Sequence, residues 1–225
     1  MYPHTNSKYI NNMLFKKIIV SCDDGHKLDL KLAKLLKQYN IPGIFFISNM
    51  NFELDNLLSP EDIKKLSIDF DIGGHTVSHP SDLKRLEHND LVYQIAENKK
   101  YLEGIIGRRI HYFCYPKGRY NEDTIRVLKE CGYIGARTTV CGNTDIPDIF
   151  ENYKVKPTIH VYPENKRFKK PKFLQNAKMC YNRSITKKNG YFHIFMHSWE
   201  VEKFNMWNEL EELFKYITNY EKSNI

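Results

Sequence analysis

Three short polar clusters hold the residue types of metal-assisted hydrolysis. Asp23 and Asp24 are adjacent in Cys22-Asp23-Asp24-Gly25, directly after the apolar run IIVS. On an extended chain neighbouring carboxylates point in opposite directions, so at a strand end one can hold a metal and the other accept a proton. Gly25 lets the backbone turn sharply there. His75 and His79, in GGHTVSHP, stand four apart. On one helical turn that spacing brings two imidazoles to a common cation, and two histidines plus a carboxylate, with a position left for water, form a recurrent catalytic zinc set. The third cluster is HIFMHSWE at 193–200. Strand alternation places His193, Phe195 and His197 on one side, so His197 at the tip can face the other clusters and protonate a leaving amine near neutral pH. Taken singly, these clusters also read as a turn with solvated acids, two surface histidines and a buried histidine, with Trp199 as packing and Glu200 as surface charge.

A fourth junction, Tyr112-Phe113-Cys114-Tyr115-Pro116-Lys117-Gly118-Arg119, has a proline followed two residues later by glycine. That pattern fixes a tight loop whose backbone N–H groups can converge on an oxyanion.

The elements that must position these clusters alternate between short apolar runs and amphipathic stretches, the pattern of βα units. Strands are expected at 16–22, 43–48, 69–73, 111–115, 133–138, 155–161 and 191–197. Leu28, Leu32, Leu35, Leu36 and Tyr39 share one helical face before the turn Ile41-Pro42-Gly43. Ser59-Pro60-Glu61-Asp62 is a helix start, with a capping serine, a proline at the first position and acids in the first turn. Leu91, Ile95, Tyr101, Leu102 and Ile105 mark a helix over 90–106. Another spans 121–131, and the last, about 201–220, puts Phe204, Trp207, Leu210, Leu213, Phe214 and Ile217 on one side. Seven strands mostly separated by helices predict a single α/β domain, a barrel-like parallel fold over 16–225 after an extension at 1–15. Three of the polar clusters sit where strands end, the shared face on which such folds assemble active sites.

With 225 residues, 41% hydrophobic and 27% charged, the chain can bury one substantial core. No run approaches the ~18 uncharged apolar residues of a membrane span, and the first 20 residues lack the pattern of an export signal, so a cytoplasmic location is expected. Five cysteines without a CxxC pair fit reduced thiols rather than a disulfide framework or a cysteine-based zinc site. The net charge is +7, yet eleven Lys or Arg against one acid, Glu164, fall within 154–188. Few aromatics are interleaved there for base stacking, so no nucleic-acid partner is expected. A solvated face, an anionic substrate or peripheral contact with an anionic membrane remain as readings of that segment.

Together DDG, GGHTVSH, FCYPKG and IFMHSW, in that order, resemble the polysaccharide deacetylase family, also called the NodB homology domain or carbohydrate esterase family four. The similarity covers about 16–139 and returns at 192–200. The resemblance implies a distorted (β/α) barrel of about seven parallel strands and hydrolysis of acetyl groups on sugars with a divalent metal. It implies Asp24, His75 and His79 as ligands, Asp23 as base, His197 as acid, Ile194 beside the acetyl pocket and the Lys117 N–H on the oxyanion. Tyr115, Arg137 and Trp199 complete the expected substrate-binding set. Zinc suits two imidazoles and a carboxylate best, though manganese, iron and cobalt take similar ligands. The chain departs from the family pattern in two places. Many members have an arginine where Cys114 stands, and Arg137, in GARTT, is a candidate substitute for orienting Asp23. The usual aspartate–tryptophan motif has only a weak counterpart in Asn143-Thr144-Asp145. The expected substrate is an N-acetylated sugar in a cytosolic precursor, nucleotide-linked, lipid-linked or on a growing glycan. Rival readings are a deformylase or cyclic-amide hydrolase of the same superfamily, a glycan-binding barrel without chemistry, and a polyanion-binding protein.

Overall fold

The apolar runs become parallel strands because helices cover one of their faces and the barrel interior covers the other. The computed structural model describes residues 17–51, 54–145, 153–163 and 172–223. Its strands are β1 (Ile18–Asp24), β2 (Gly43–Ile47), β3 (Asp71–Gly74), β4 (Tyr112–Cys114), β5 (Gly135–Arg137), β6 (Ile159–His160) and β7 (Phe192–Met196). They form one sheet in the order β5-β4-β3-β2-β1-β7-β6, and every pairing is parallel. The segment 155–160 spans the remaining gap. Val155 donates to Ala136 O and accepts from Thr138 N–H beside β5, while Ile159–His160 pairs with β7. Pro157 lies between the two contacts and has no N–H for a ladder, so the single strand expected at 155–161 is broken. The result is a curled, distorted (β/α) barrel in one α/β domain.

The helices are α1 (Asp29–Gln38), α2 (Pro60–Asp69), α3 (His88–Ile106), α4 (Glu122–Glu130), α5 (Phe173–Ile185), α6 (Ser198–Lys203) and α7 (Trp207–Ser223). Ser59 and Asp62 form a reciprocal capping box at the start of α2, and Asn121 with Thr124 does the same for α4.

Several boundaries differ from the sequence expectation. β1 runs on through both aspartates instead of stopping before them. β3 starts at Asp71, because Asp69 closes α2. The expected last helix is two, α6 and α7, broken at Phe204–Met206 where Asn205 takes φ 52°. α5 was not anticipated within the basic segment. The extension at 1–15 and residues 164–171 lie outside the described residues.

Alternation sorts the strand side chains into two layers. Val20, Cys22, Phe45, Ile47, Phe192, Ile194 and Met196 join the larger core under the helices. Ile19, Ile44, Phe46, Tyr112, Cys114 and Tyr191 fill the interior. His193 is buried in that interior between Ser21 Oγ at 2.8 Å and Tyr191 Oη at 2.7 Å, and burial holds its pKa well below the usual imidazole value. The interior is tight at Gly73, where a Cβ would stand 2.4 Å from the Phe46 ring and 2.9 Å from the Tyr112 carbonyl. Gly73→Ala should therefore cost about 1–3 kcal/mol of stability through overpacking, read as a lower urea midpoint with an unchanged m-value.

Candidate active site

β1 delivers Asp23 and Asp24 to the rim of the barrel, and the loop after β3 delivers His75 and His79. Asp24 Oδ1 lies 3.4 Å from His75 Nε2 and 3.4 Å from His79 Nε2. Ligand atoms about 2.0–2.1 Å from a tetrahedral zinc stand about 3.3 Å from one another, so the three atoms are spaced as ligands of one ion would be. Asp24 Oδ1 is buried and accepts no hydrogen bond, whereas its Oδ2 takes the Trp199 indole N–H at 2.9 Å. His75 Nδ1 is 2.7 Å from the Cys114 carbonyl, which can only accept, so Nδ1 carries the proton and Nε2 presents its lone pair to Asp24. With Nε2 unprotonated, two acceptors face each other, and a metal ion between them would remove the repulsion as a proton on Nε2 does. Burial opposes ionisation of Asp24, but His75, His197 and His79 outweigh it and hold the carboxyl well below the usual carboxylate range. The residues present therefore fit a divalent metal.

The local backbone is unusual at these positions. Asp24, Thr76 and His79 have φ of 82°, 74° and 52°, a region costly for residues with a Cβ and concentrated at functional sites. The histidines thus sit in a loop, not on the helical turn that their spacing suggested. Asn98 of α3 supports that loop. It accepts from His75 N–H at 2.9 Å and donates to Ile47 O at 2.9 Å and Asn49 Oδ1 at 2.8 Å. Sequence reading missed Asn98, although the signal was present as one polar residue in the stripe Leu91, Ile95, Asn98, Leu102 that α3 buries. Tyr101, expected on that face, is exposed.

Asp23 points into the barrel, where the wholly buried Arg137 guanidinium pairs with its carboxylate. Burial would raise the Asp23 pKa, and Arg137, then His75 and His197, turn the balance and lower it. Cys114 and Arg137 are register partners on β4 and β5, so a small residue on one strand leaves room for the guanidinium from the next. The Cys114 thiol is 3.4 Å from Asp23 Oδ2 and 2.9 Å from an Arg137 nitrogen. Arg137 stacks over Phe195, 4.7 Å from the ring centroid.

His197, at the tip of β7, presents Nε2 at 3.9 Å from Asp23 Oδ2 and Nδ1 at 2.7 Å from Glu200 Oε2. The same Glu200 oxygen is 3.2 Å from His160 Nε2. Burial would lower the His197 pKa, but the hydrogen bond to Glu200 and the charges of Asp24 and Asp23 push it up to about 9. Glu200, buried yet flanked by His160 and His197, is held down to about 2. Glu200 is therefore no surface charge. Its signal was positional, since His197 is the N-cap of α6 and Glu200 stands three residues on, where a side chain reaches back over the helix start. Asp145, from the weak motif, pairs instead with Lys187 at 2.7 Å. A second missed group lies beneath. Asp29 Oδ1 takes the Ser198 hydroxyl at 2.5 Å and the Cys22 thiol at 3.1 Å, joining the start of α1 to that of α6, and burial raises its pKa to about 7.

The expected substrate-binding set divides. Tyr115 is fully buried, stacked on Tyr120 and bonded to the Tyr153 carbonyl, with no surface for a ligand. Ile194 falls on the helix-facing side of β7 by alternation, so it does not line the cleft. Arg137 is buried against Asp23, and Trp199 holds Asp24. Lys117 lies in the Pro116–Gly118 turn with φ 53°, at the end of β4. In the basic segment, Lys154, Lys178 and Lys187 pair with Glu122, Glu212 and Asp145.

Residues 11–136, more than half of the chain, match the family model described as polysaccharide deacetylase. The "Putative polysaccharide deacetylase YxkH" of Bacillus subtilis (strain 168) is 26% identical over 129 residues, 56% of this chain and 46% of that protein. The chain thus spans about half the length of this curated relative. Among solved structures, a family 4 carbohydrate esterase from Streptomyces lividans, in complex with acetate, superposes with TM-score 0.57 at 13% identity over 89% of this chain and 88% of that one. BA3943 of Bacillus anthracis, a CE4 family pseudoenzyme, gives TM-score 0.55 at 14% identity over 89% and 62%.

Two expectations follow from the ligand geometry. Removing metal with a chelator should lower Tm by about 5–10 °C, reversed by zinc, because an ion present at about 100 times its Kd adds ~2.7 kcal/mol to the folded state. Asn98→Ala, which leaves the His75 N–H and the Ile47 carbonyl without this partner, should weaken zinc binding by about tenfold or more in a chelator-competition titration.

Proposed function

The chain belongs to the polysaccharide deacetylase family, and from that premise we propose that it is a metal-dependent hydrolase that removes the acetyl group from the nitrogen of an N-acetylated sugar. The observation that carries the reading is the spacing of Asp24, His75 and His79 beside an acid–base pair, Asp23 and His197, 3.9 Å apart. Asp24, His75 and His79 would hold the cation, and zinc is the metal proposed.

An amide is a poor electrophile with a poor leaving group, so its hydrolysis needs an activated water, a stabilised oxyanion and a proton for nitrogen. A divalent cation on these ligands supplies water activation and polarises the acyl oxygen. Asp23 takes the proton from the attacking water, and Arg137 keeps that carboxylate ionised and aimed. The Lys117 N–H is proposed as a donor to the oxyanion. His197, held as imidazolium by Glu200, gives its Nε2 proton to the departing nitrogen.

That last role puts the sugar, in this reading, on the His197 side of the site. The leaving nitrogen must reach His197, so the ring it belongs to extends along the same side. There Tyr162, 44% exposed, stacks on His160 with centroids 5.4 Å apart, and His160 packs edge-on to His197 at 5.7 Å. Tyr162 offers an aromatic surface for the apolar face of a sugar. All five cysteines are free, which favours a reducing compartment and with it a cytoplasmic precursor substrate. Among the described residues no helix is long and apolar enough to cross a membrane. With three described lysines already paired, an anionic linkage in the substrate would have to draw on others of the segment. Lys166, Arg167, Lys169 and Lys170 lie outside the described residues. Neutralising Lys169, Lys170 and Lys172 should raise KM for a phosphate-linked donor more than for a neutral oligosaccharide.

Acetate release from an N-acetylated oligosaccharide, abolished by a chelator and restored by zinc, tests the reading. No release under any metal would sink it in favour of a glycan-binding barrel. Asp23→Asn should lower kcat by about 10²–10⁴-fold with Tm within a few degrees of wild type. Protonated His197 is the active form, so activity is lost as pH rises through its pKa. A cation on Asp24 offsets that carboxylate's share, leaving Glu200 and Asp23 to hold the proton, so the alkaline limb should fall between the ordinary imidazole value and about 9. Glu200→Gln should move that limb down by about one unit or more. Tyr162→Ala should raise KM with kcat little changed, and Tyr162→Phe should restore it.

A further inference from the structure

We propose that His160, His197 and Glu200 form a second divalent-cation site whose filling disables the general acid. The binding half of this inference stands on its own geometry, and the inhibitory half rests on the hydrolase reading. One ligand atom from each residue lies within 4.8 Å of the others. Glu200 Oε2 is 2.7 Å from His197 Nδ1 and 3.2 Å from His160 Nε2, so slight opening reaches the ~3.3 Å spacing of tetrahedral zinc ligands. The donor set, two imidazoles converging on one carboxylate oxygen, repeats that of Asp24, His75 and His79.

The frame is rigid. His160 belongs to β6 and pairs in register with Phe195, and its ring lies flat on the Phe195 ring at 4.1 Å with an interplanar angle of 8°. His197 and Glu200 are fixed one turn apart at the start of α6. Access differs from the first site. The side chains of His160, His197 and Glu200 are 27%, 22% and 13% exposed, against 5%, 2% and 8% for Asp24, His75 and His79. The second site is therefore open to ions from solvent, and weaker, because a cation must displace the proton that His197 shares with Glu200.

The chemical consequence follows from the nitrogen involved. As the cation bonds to Nδ1, that proton leaves to solvent and the imidazolium becomes a metal-bound neutral imidazole. Its remaining Nε2–H is a much weaker acid, so the departing amine goes unprotonated. Excess zinc would thus oppose the activity that the first equivalent supports.

Zinc titration of the full chain, by calorimetry and by metal analysis after gel filtration, tests the site. Wild type is expected to take two equivalents, the second at least tenfold weaker. His160→Asn and Glu200→Gln should each weaken the second more than tenfold and leave the first unchanged, while His75→Ala loses the first and keeps the second. Acetate release by wild type should fall more than fivefold as the second equivalent fills, and His160→Asn should not show that fractional fall. Saturation of wild type at one equivalent, or a second equivalent that persists in both variants, would overturn the site. A filled second equivalent without loss of acetate release would overturn the inhibition. No acetate release at one equivalent would overturn the hydrolase reading, and the stoichiometry would still decide the site.

Discussion

Three carboxylates, Asp23, Asp24 and Glu200, are largely withdrawn from water at one end of the barrel, and the rest of the site is arranged to balance them. A buried ionised carboxylate is tolerated only when opposite charge and hydrogen bonds replace its hydration. Each has a different solution. Asp23 faces a guanidinium, which cannot give up its charge, so this carboxylate stays ionised throughout the working pH range. Glu200 lies between two imidazoles, whose charge is conditional. Asp24 has one oxygen on an indole N–H and the other toward two imidazole nitrogens, which leaves a position suited to a metal ion. A fixed guanidinium, a shared proton and a position suited to a metal ion thus balance three carboxylates that the fold gathers from residues 23, 24 and 200, and the proposed roles of base, acid and ligand follow that division.

The backbone pays for this arrangement with strain at Asp24, Thr76 and His79, each held at positive φ. Such conformations persist only where the surroundings over-determine them. Asn98 does so from the helix side by taking the His75 N–H, and Thr76 Oγ1 takes the His79 N–H at 3.0 Å. Beneath the site, Asp29 joins Ser198 to Cys22. The groups that anchor the site residues are thus buried polar side chains on helices and within the loop itself, whose bonds fix it more firmly than apolar contact alone would.

Much of this was legible in the sequence because chemistry and period coincide. The strands announced themselves as apolar runs, and the clusters DDG, HTVSH and MHSWE sat at their ends. What stayed illegible has definite causes. The His75/His79 spacing is satisfied equally by a loop, since i,i+4 is a statement about sequence and the imidazoles meet through unusual φ values. Tyr115 and Ile194 were misjudged because motif position says that a residue is near the site, whereas strand alternation decides which layer it enters. Glu200 was read as surface charge and Asn98 was not singled out, because a single polar residue in a helix gains meaning only from what faces it across the fold. The long final helix was drawn through a break at Asn205 that apolar periodicity does not register.

The relocated arginine shows how far the site and the core are one object. Arg137 reaches Asp23 from β5 only because β4 offers Cys114 at the adjoining register position. Burial raises the Cys114 thiol, which keeps it neutral and able to donate toward Asp23. The guanidinium also lies over the rings of Phe195 and Phe46, and Gly73 leaves room for the second of these. The orientation of Asp23 is thereby coupled to packing two strands away. Interior packing and the placing of Asp23, the proposed base, form one continuous set of contacts from Gly73 through Phe46 and Arg137 to Asp23. A larger residue at Gly73 would press on Phe46 and through it on the guanidinium beside Asp23, while leaving Asp24, His75 and His79 untouched.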